Sequence, residues 1–327
     1  MIFSLLWLWC MLVLHPKKGY IAKCPGRVRV KILHVALIIH IGSLPGLLLL
    51  LWGGRFPMII GNVGYSHKNN KQGEMQDLIT GKLKELAEKH SIKILYACES
   101  GSRAWGFPST DSDYDVRFIY RHRQEEYLSI SMPADTIDLP VNELLDIGGW
   151  ELRKSLQLFM KSNAPLYEWL QSPIVYYQDQ DFSTSLLKLQ EHYFSPRAAA
   201  HHYLSMATNV WNAESGGDTM RLKKYFYVLR SLLAAQWTVD NQNCPPMQLS
   251  LLRVQVLDQN WQNEIDRFLT IKKDVTEKDA IQRSMILDNW IVRTLEYCRE
   301  KTMSTKPKQF NKAYLDNFFR KQLEYDI

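Results

Sequence analysis

Hydrophobic and polar positions change character near residue 75. Ahead of it, residues 2–14 (IFSLLWLWCMLVL) and 35–52 (VALIIHIGSLPGLLLLLW) are apolar runs with neither helical nor strand period. The second run approaches the roughly 20 residues a membrane helix needs, but it carries His40 and Pro45. The first is short, and Lys17 and Lys18 follow it rather than precede it, the reverse of a cleaved signal peptide. Residues 1–74 therefore read as an appendage to the folded body. Upstream sequence translated ahead of Met75 is the first reading, and a membrane association through residues 35–52 is the second.

From Met75 onward the pattern is that of a self-sufficient globular chain. Residues 76–90 place Leu78, Ile79, Leu83, Leu86 and Ala87 at helical spacing, with Lys and Glu on the opposite face. Residues 92–99 (IKILYACE) are short and rich in strand formers, which predicts a buried strand, and residues 114–120 (YDVRFIY) alternate as a second. Residues 125–143 are broken by Ser131-Met132-Pro133 and Leu139-Pro140. A third strand is expected over 142–147, with Gly148-Gly149 opening a helix over 150–161. Beyond it the pattern is mainly helical. Ser195-Pro196 supplies an N-cap and a first-turn proline for a helix over 197–211, and further helices are expected over 219–237, 254–271, 277–299 and 308–325. The expected fold is α+β: an α/β domain with a mixed sheet and flanking helices over 75–178, then an all-helical domain over 179–327.

Composition changes this picture little. The chain is 46% hydrophobic, 12% aromatic and 23% charged, which excludes a disordered or fibrous protein. The formal charge of +6 favours a polyanionic partner such as RNA, DNA or a nucleoside triphosphate, although such an excess is common in proteins that bind none. The five cysteines, Cys10, Cys24, Cys98, Cys244 and Cys298, form no Cys-x-x-Cys pair. Neither a zinc site nor a disulfide framework is indicated, and reduced thiols in the cytoplasm are the simplest reading.

Candidate chemistry concentrates between residues 98 and 116. Asp113 and Asp115 stand two apart where a strand begins, so both carboxylates project to one face. Like charges so placed call for a cation, and a hard divalent ion such as Mg²⁺ bridges carboxylates to substrate phosphates. Two such ions can activate an attacking hydroxyl and stabilise a leaving pyrophosphate. Gly101-Ser102, just after the first strand, lets the backbone turn sharply and bring its N–H groups near a phosphate. Arg103 is placed to meet a phosphate oxygen or Glu99. Either fragment alone reads as an ordinary turn. Strand, Gly-Ser, short loop and Asp-x-Asp opening a second strand is far more specific, because metal and phosphate sites then converge.

On these residues, GSRAWGFPSTDSDYDVRFIY resembles the Gly-Ser…Asp-x-Asp signature of the DNA polymerase β superfamily of nucleotidyltransferases. DIGGWELRKSLQLFMKSNAPLYEWLQSPIVY is similar to a bacterial group of predicted nucleotidyltransferases, some associated with RNA repair, and the similarity continues through FSPRAAAHHYLSMA and RLKKYFYVLRSLLAAQW. It covers the chain from about Met75 to the C-terminal helix. The group tends to carry Asp after the Trp of its GGW segment, where this chain has Glu151.

The resemblance implies a small nucleotidyltransferase α/β domain followed by a helical domain. It also implies an activity: transfer of a nucleoside monophosphate from an NTP, with ATP the first choice, to a hydroxyl acceptor with release of pyrophosphate. Two Mg²⁺ ions would be held by Asp113, Asp115 and a third carboxylate. Asp146 is the best match for the third, with Asp138 and Glu143 as rivals and a helix N-cap as its plainer role. Gly101, Ser102 and Arg103 would bind the triphosphate, with Lys223 or Lys224 from the helical domain, although a solvated helix face accounts for those lysines equally well. The first-choice acceptor is an RNA 3′ end. A partner protein nucleotidylated in a toxin–antitoxin-type system and a non-catalytic nucleotide- or nucleic-acid-binding module are the alternatives. Among secondary candidates, Lys154, Lys161, Ser162 and Asn163 could line the acceptor side. Trp105 and Phe107 could stack a base, with burial in the core the commoner fate. Arg197 and His202 spell an Arg-x4-His pattern that also occurs in helical ribonucleases.

Overall fold

The computed structural model describes residues 67–324, apart from 141–143, 215, 275 and 277–278. The apolar runs at 2–14 and 35–52 lie outside the described residues, as does Glu143. Among the described residues, no helix is long and apolar enough to cross a membrane.

The chain opens with helix α1 (His67–Lys89), then β1 (Lys93–Glu99), the single turn α2 (Gly101–Trp105) and β2 (Tyr114–Arg121). A short turn α3 (Gln124–Tyr127) and edge strand β3 (Thr136–Asp138) lead to β4 (Leu145–Glu151), α4 (Leu152–Met160), α5 (Ala164–Trp169) and β5 (Val175–Gln178). Then come α6 (Gln180–Tyr193), α7 (Pro196–Ala213), β6 (Thr219–Arg221) and α8 (Leu222–Asn241). The last part holds α9 (Leu249–Leu252), a 3₁₀ turn (Arg253–Gln255), α10 (Gln259–Asp274), β7 (Ala280–Gln282), α11 (Met285–Ser304) and α12 (Ala313–Leu323). The result is the expected α+β arrangement.

Five strands form one mixed sheet in the order β3-β4-β2-β1-β5. The pairs β1–β2, β1–β5 and β3–β4 are antiparallel, and β2–β4 is parallel. Strand alternation gives the sheet two apolar faces. Val116, Phe118 and Tyr120 turn toward α1, where Ile79, Leu83 and Leu86 complete one core. Leu95, Tyr96, Cys98 and Ile119 turn the other way, into a larger core with the helices that follow β4, centred on α7 and α8. Asp113, Asp115 and Arg117 share parity with Ile119, so the strand's charged end looks toward the helical layer.

Several expected boundaries are corrected. Gly148-Gly149 do not open a helix; both lie inside β4, and α4 starts at Leu152 with the Glu151 carboxylate accepting from Lys154 N. Cross-strand packing requires a glycine at 149, against the buried Phe118 ring, and favours one at 148. A Cβ on Gly149 would lie 2.3 Å from the Phe118 ring, and one on Gly148 would lie 2.7 Å from Asp138 Oδ1. The helix expected over 219–237 begins instead at Leu222, because Thr219–Arg221 pair with Ala280–Gln282 as a two-stranded ribbon. That pairing also displaces the helix expected over 277–299, which starts at Met285 under a Ser284 N-cap. The helix expected from 254 begins at Gln259, where Asp258 Oδ1 accepts from Asn260 N and Trp261 N.

Candidate active site

The carboxylates gather where β2 starts. Asp113 immediately precedes the strand, and Asp115 follows two residues on, on the same face. The parallel register sets Asp146 of β4 directly opposite Asp115. Asp138 lies on β3 opposite Gly148, two residues further along. Asp146 is therefore a strand residue beside Asp115 and not a helix cap.

Arg117, the next residue of the same parity on β2, lies between the two aspartates. Its Nη2 is 2.6 Å from Asp146 Oδ2 and 3.4 Å from Asp115 Oδ1, and its Nη1 donates to the Asp146 carbonyl at 2.9 Å. The Asp115 carboxyl is nonetheless pushed up to about 6. Burial is the largest cause, followed by repulsion from Asp113, relief from Arg117, repulsion from Asp146 and relief from Lys223. Behind it stands Glu99, fully buried, which accepts Asp115 N at 3.0 Å through Oε1 and the Tyr176 hydroxyl through Oε2. Burial pushes the Glu99 carboxyl up to about 7 despite those bonds.

Gly101 touches Asp115 closely. Its φ of +59° is left-handed, and a Cβ there would lie 1.9 Å from Asp115 Oδ2. Ser100 N donates to the Asp115 carbonyl at 2.7 Å, which ties the turn to the strand. Ser102 donates its hydroxyl to Ser112 Oγ at 3.1 Å. Arg103 is held by the loop: Nη2 donates to Ser112 O at 2.6 Å and Nε to Asp113 O at 3.0 Å, with the guanidinium 3.8 Å above the Tyr114 ring. Its hydrogen bonds thus go to the loop backbone and not to Glu99.

The two lysines of α8 diverge. Adjacent helical residues point about 100° apart. Lys223 acts on Asp115, whereas Lys224 acts on Glu214, which also pairs with Arg221. Along the Lys223 face, Tyr227 meets the edge of Trp105 at 5.6 Å, and Arg230 lies 4.5 Å from the same ring. Arg230 Nη1 donates to Glu168 Oε1 at 2.7 Å, and the same carboxylate accepts from Tyr203 and from Trp105 Nε1. Trp105 thereby fastens the Gly-Ser turn to α5 and α8, and Phe107 is buried against Phe226.

Other sequence candidates lie elsewhere. Ser162 is buried between Tyr193 O and Ser195 N, Asn163 caps α5, and Lys154 pairs with Asp135. Arg197 donates to Thr305 O, and among the described residues no hydrogen bond joins it to His201 or His202. Sequence reasoning missed Arg117, although strand alternation puts it on the face of the two aspartates. It also missed Glu99 as a support for Asp115, and Lys272, for which no local signal exists.

A family model described as the RNA repair pathway DNA polymerase beta family matches residues 75–321. The chain belongs to that family. It is also 42% identical over 236 residues to a Bacillus subtilis (strain 168) protein carried as "Uncharacterized protein YcgL", covering 72% of this chain and 91% of the relative. A crystal structure of a nucleotidyltransferase-like protein from Exiguobacterium sibiricum 255-15 is 14% identical over 77% of this chain and 81% of its own. Its TM-score of 0.25 is too low to bear on the fold. Family membership makes the chain a nucleotidyltransferase of the polymerase β type, a class of enzyme that typically uses an NTP and a divalent metal.

Among the described residues, no three His, Cys, Asp or Glu side chains converge as a metal cluster, and Arg117 stands between Asp115 and Asp146. The donor chemistry still suits a hard cation. The candidates are carboxylates, without imidazole or thiolate. The missing Cβ of Gly101 leaves the Asp115 carboxyl its space.

Proposed function

We propose that the protein transfers a nucleoside monophosphate, AMP from ATP in the first instance, to the 3′-hydroxyl of an RNA in the cytoplasm. The acceptor oxygen attacks the α-phosphorus, the bond to the β-phosphate oxygen breaks, and pyrophosphate leaves. The observation that carries this reading is the placement of Asp113, Asp115 and Asp146 at the adjoining ends of β2 and β4, with Lys223 of α8 acting on Asp115. These three aspartates would hold two Mg²⁺ ions, which when bound supply charge neutralisation at the attacking and leaving oxygens. The backbone of Gly101 and Ser102 would cradle the β- and γ-phosphates, with Ser112 holding the Ser102 side chain beside them. Residues 75–178 carry the carboxylates in this reading, and residues 179–327 supply Lys223. The RNA acceptor rests on the family alone.

The test incubates the full chain with Mg²⁺, each labelled NTP, and RNA, DNA or protein acceptors. Label should enter RNA, and the Asp113→Ala, Asp115→Ala double variant should transfer none. Label in protein alone would replace the RNA reading with nucleotidylation of a partner. Transfer undiminished in the double variant, or none by the wild type, would end the enzymatic reading.

The two lysines provide a finer check. Lys223→Met should raise the KM for NTP by about tenfold, the order expected for losing one charge-assisted phosphate contact, whereas Lys224→Met should leave it nearly unchanged. Equal effects in steady-state kinetics would remove Lys223 from the triphosphate site.

A further inference from the structure

Lys272 is a buried cation to which the reaction as proposed gives no part. It stands in the last turn of α10, only 3% exposed, and its Nζ donates to Ser109 Oγ at 2.6 Å. A lysine near a helix C-terminus is favoured by the helix dipole, but that attraction does not require burial. Lys273, its exposed neighbour, could meet it equally well. Burying an ammonium costs several kcal/mol unless its hydrogen bonds are made inside, and a hydrocarbon side chain would fill the same space without that penalty. Among its interactions, Lys272 gives the 107–113 loop a donor at Ser109.

That loop joins Gly101-Ser102 to Asp113. Ser109 N donates to Ser112 Oγ at 2.9 Å, and Ser112 Oγ also accepts the Ser102 hydroxyl at 3.1 Å. From the other side, Arg103 holds the carbonyls of Ser112 and Asp113. Phe107 is stacked on Phe226 of α8 at 5.1 Å, with Lys272 Nζ 6.0 Å from its ring centroid. One hydrogen-bonded chain therefore runs from α10 through Ser109 and Ser112 to both halves of the site.

We propose that Lys272 is a positioning residue for nucleotidyl transfer: through Ser109 and Ser112 it holds the loop that sets Ser102 against Asp113. This rests on the nucleotidyltransferase reading above. The Gly-Ser turn that binds the NTP stays tied to the fold through Ser100 and Trp105, outside this chain of bonds, and Lys223 is untouched, so the loss should fall mainly on kcat.

In the full chain, Lys272→Met and Ser109→Ala should each lower kcat by on the order of 10–100-fold, with the KM for NTP changed by less than about threefold. The double variant should be no worse than the worse single one. Amide hydrogen exchange at residues 107–113 should accelerate in both variants while Lys93–Glu99 stays protected. Ser109→Ala keeps the proposal testable should Lys272→Met fail to fold. Unchanged exchange at 107–113, additive losses in the double variant, or a rise in KM at constant kcat would each overturn it. If the wild type transfers to no acceptor, the nucleotidyl-transfer reading fails, and the exchange measurement alone then decides whether Lys272 holds the loop.

Discussion

Asp115→Asn is expected to reduce transfer by about 10³-fold, the scale on which a preorganised charge at the reacting phosphate acts, and at the same time to stabilise the metal-free protein. The second effect follows from the Asp115 carboxyl being raised from 3.8 to about 6 by burial and by repulsion from Asp113 and Asp146, against the relief given by Arg117 and Lys223. A carboxyl raised on folding binds its proton more tightly in the folded state than in the unfolded one. Its stabilising contribution is complete below pH 3.8 and is lost as pH climbs through about 6. At pH 8 the wild type carries the full penalty and the amide variant does not. The gain should be about 1–3 kcal/mol, or a few degrees in unfolding temperature for a chain this size. It should shrink toward zero near pH 4. Thermal unfolding of both proteins without metal, at pH 4 and pH 8, is the measurement. A variant less stable than wild type at pH 8 would mean that the lost Arg117 contact outweighs the relieved repulsion.

Gly101→Ala should be nearly as damaging to activity, by about 10²-fold, because small displacements at a reacting centre have effects of that order. The new methyl would stand 1.9 Å from Asp115 Oδ2 at a φ of +59°. Asp115 has little room to retreat: its N–H is held by Glu99 and its carbonyl by Ser100 N. Backbone strain and overlap together should lower stability by about 1–3 kcal/mol. The steric part is checked by repeating the substitution in an Asp115→Ala background, where the destabilisation should be smaller. An equal loss in both backgrounds would assign it to the backbone alone.

How much of this was legible depends on the range over which each residue acts. Asp113, Asp115 and the Gly-Ser turn are local, and two-residue alternation was enough to bring the carboxylates to one face. The same alternation contained Arg117. The pairing of Asp146 with Asp115 is a register between parallel strands joined by a long crossover, and no local spacing specifies it. The resemblance, not the pattern, singled out Asp146. Gly148 and Gly149 were misread because a glycine pair resembles a turn, whereas their neighbours Phe118 and Asp138 belong to other strands. Strand β5 is four residues long and partly exposed at the sheet edge, so it carries too few apolar positions to declare itself. Lys272 reaches Ser109 across 163 positions, and nothing adjacent in sequence marks it.

The β6–β7 ribbon bears on which length changes the chain can accept. Thr219–Arg221 are paired with Ala280–Gln282, and Leu222 N donates to Asp279 O at 3.1 Å, so the first turn of α8 is clamped in rotation as well as in place. One residue inserted between Leu222 and Lys223 would turn the helix face that follows by about 100° and carry Lys223 away from Asp115. An insertion at Gly216-Gly217, where added side chains meet open space, would leave the clamp and the lysine untouched. Length drift among relatives should therefore collect ahead of Thr219 and stop there.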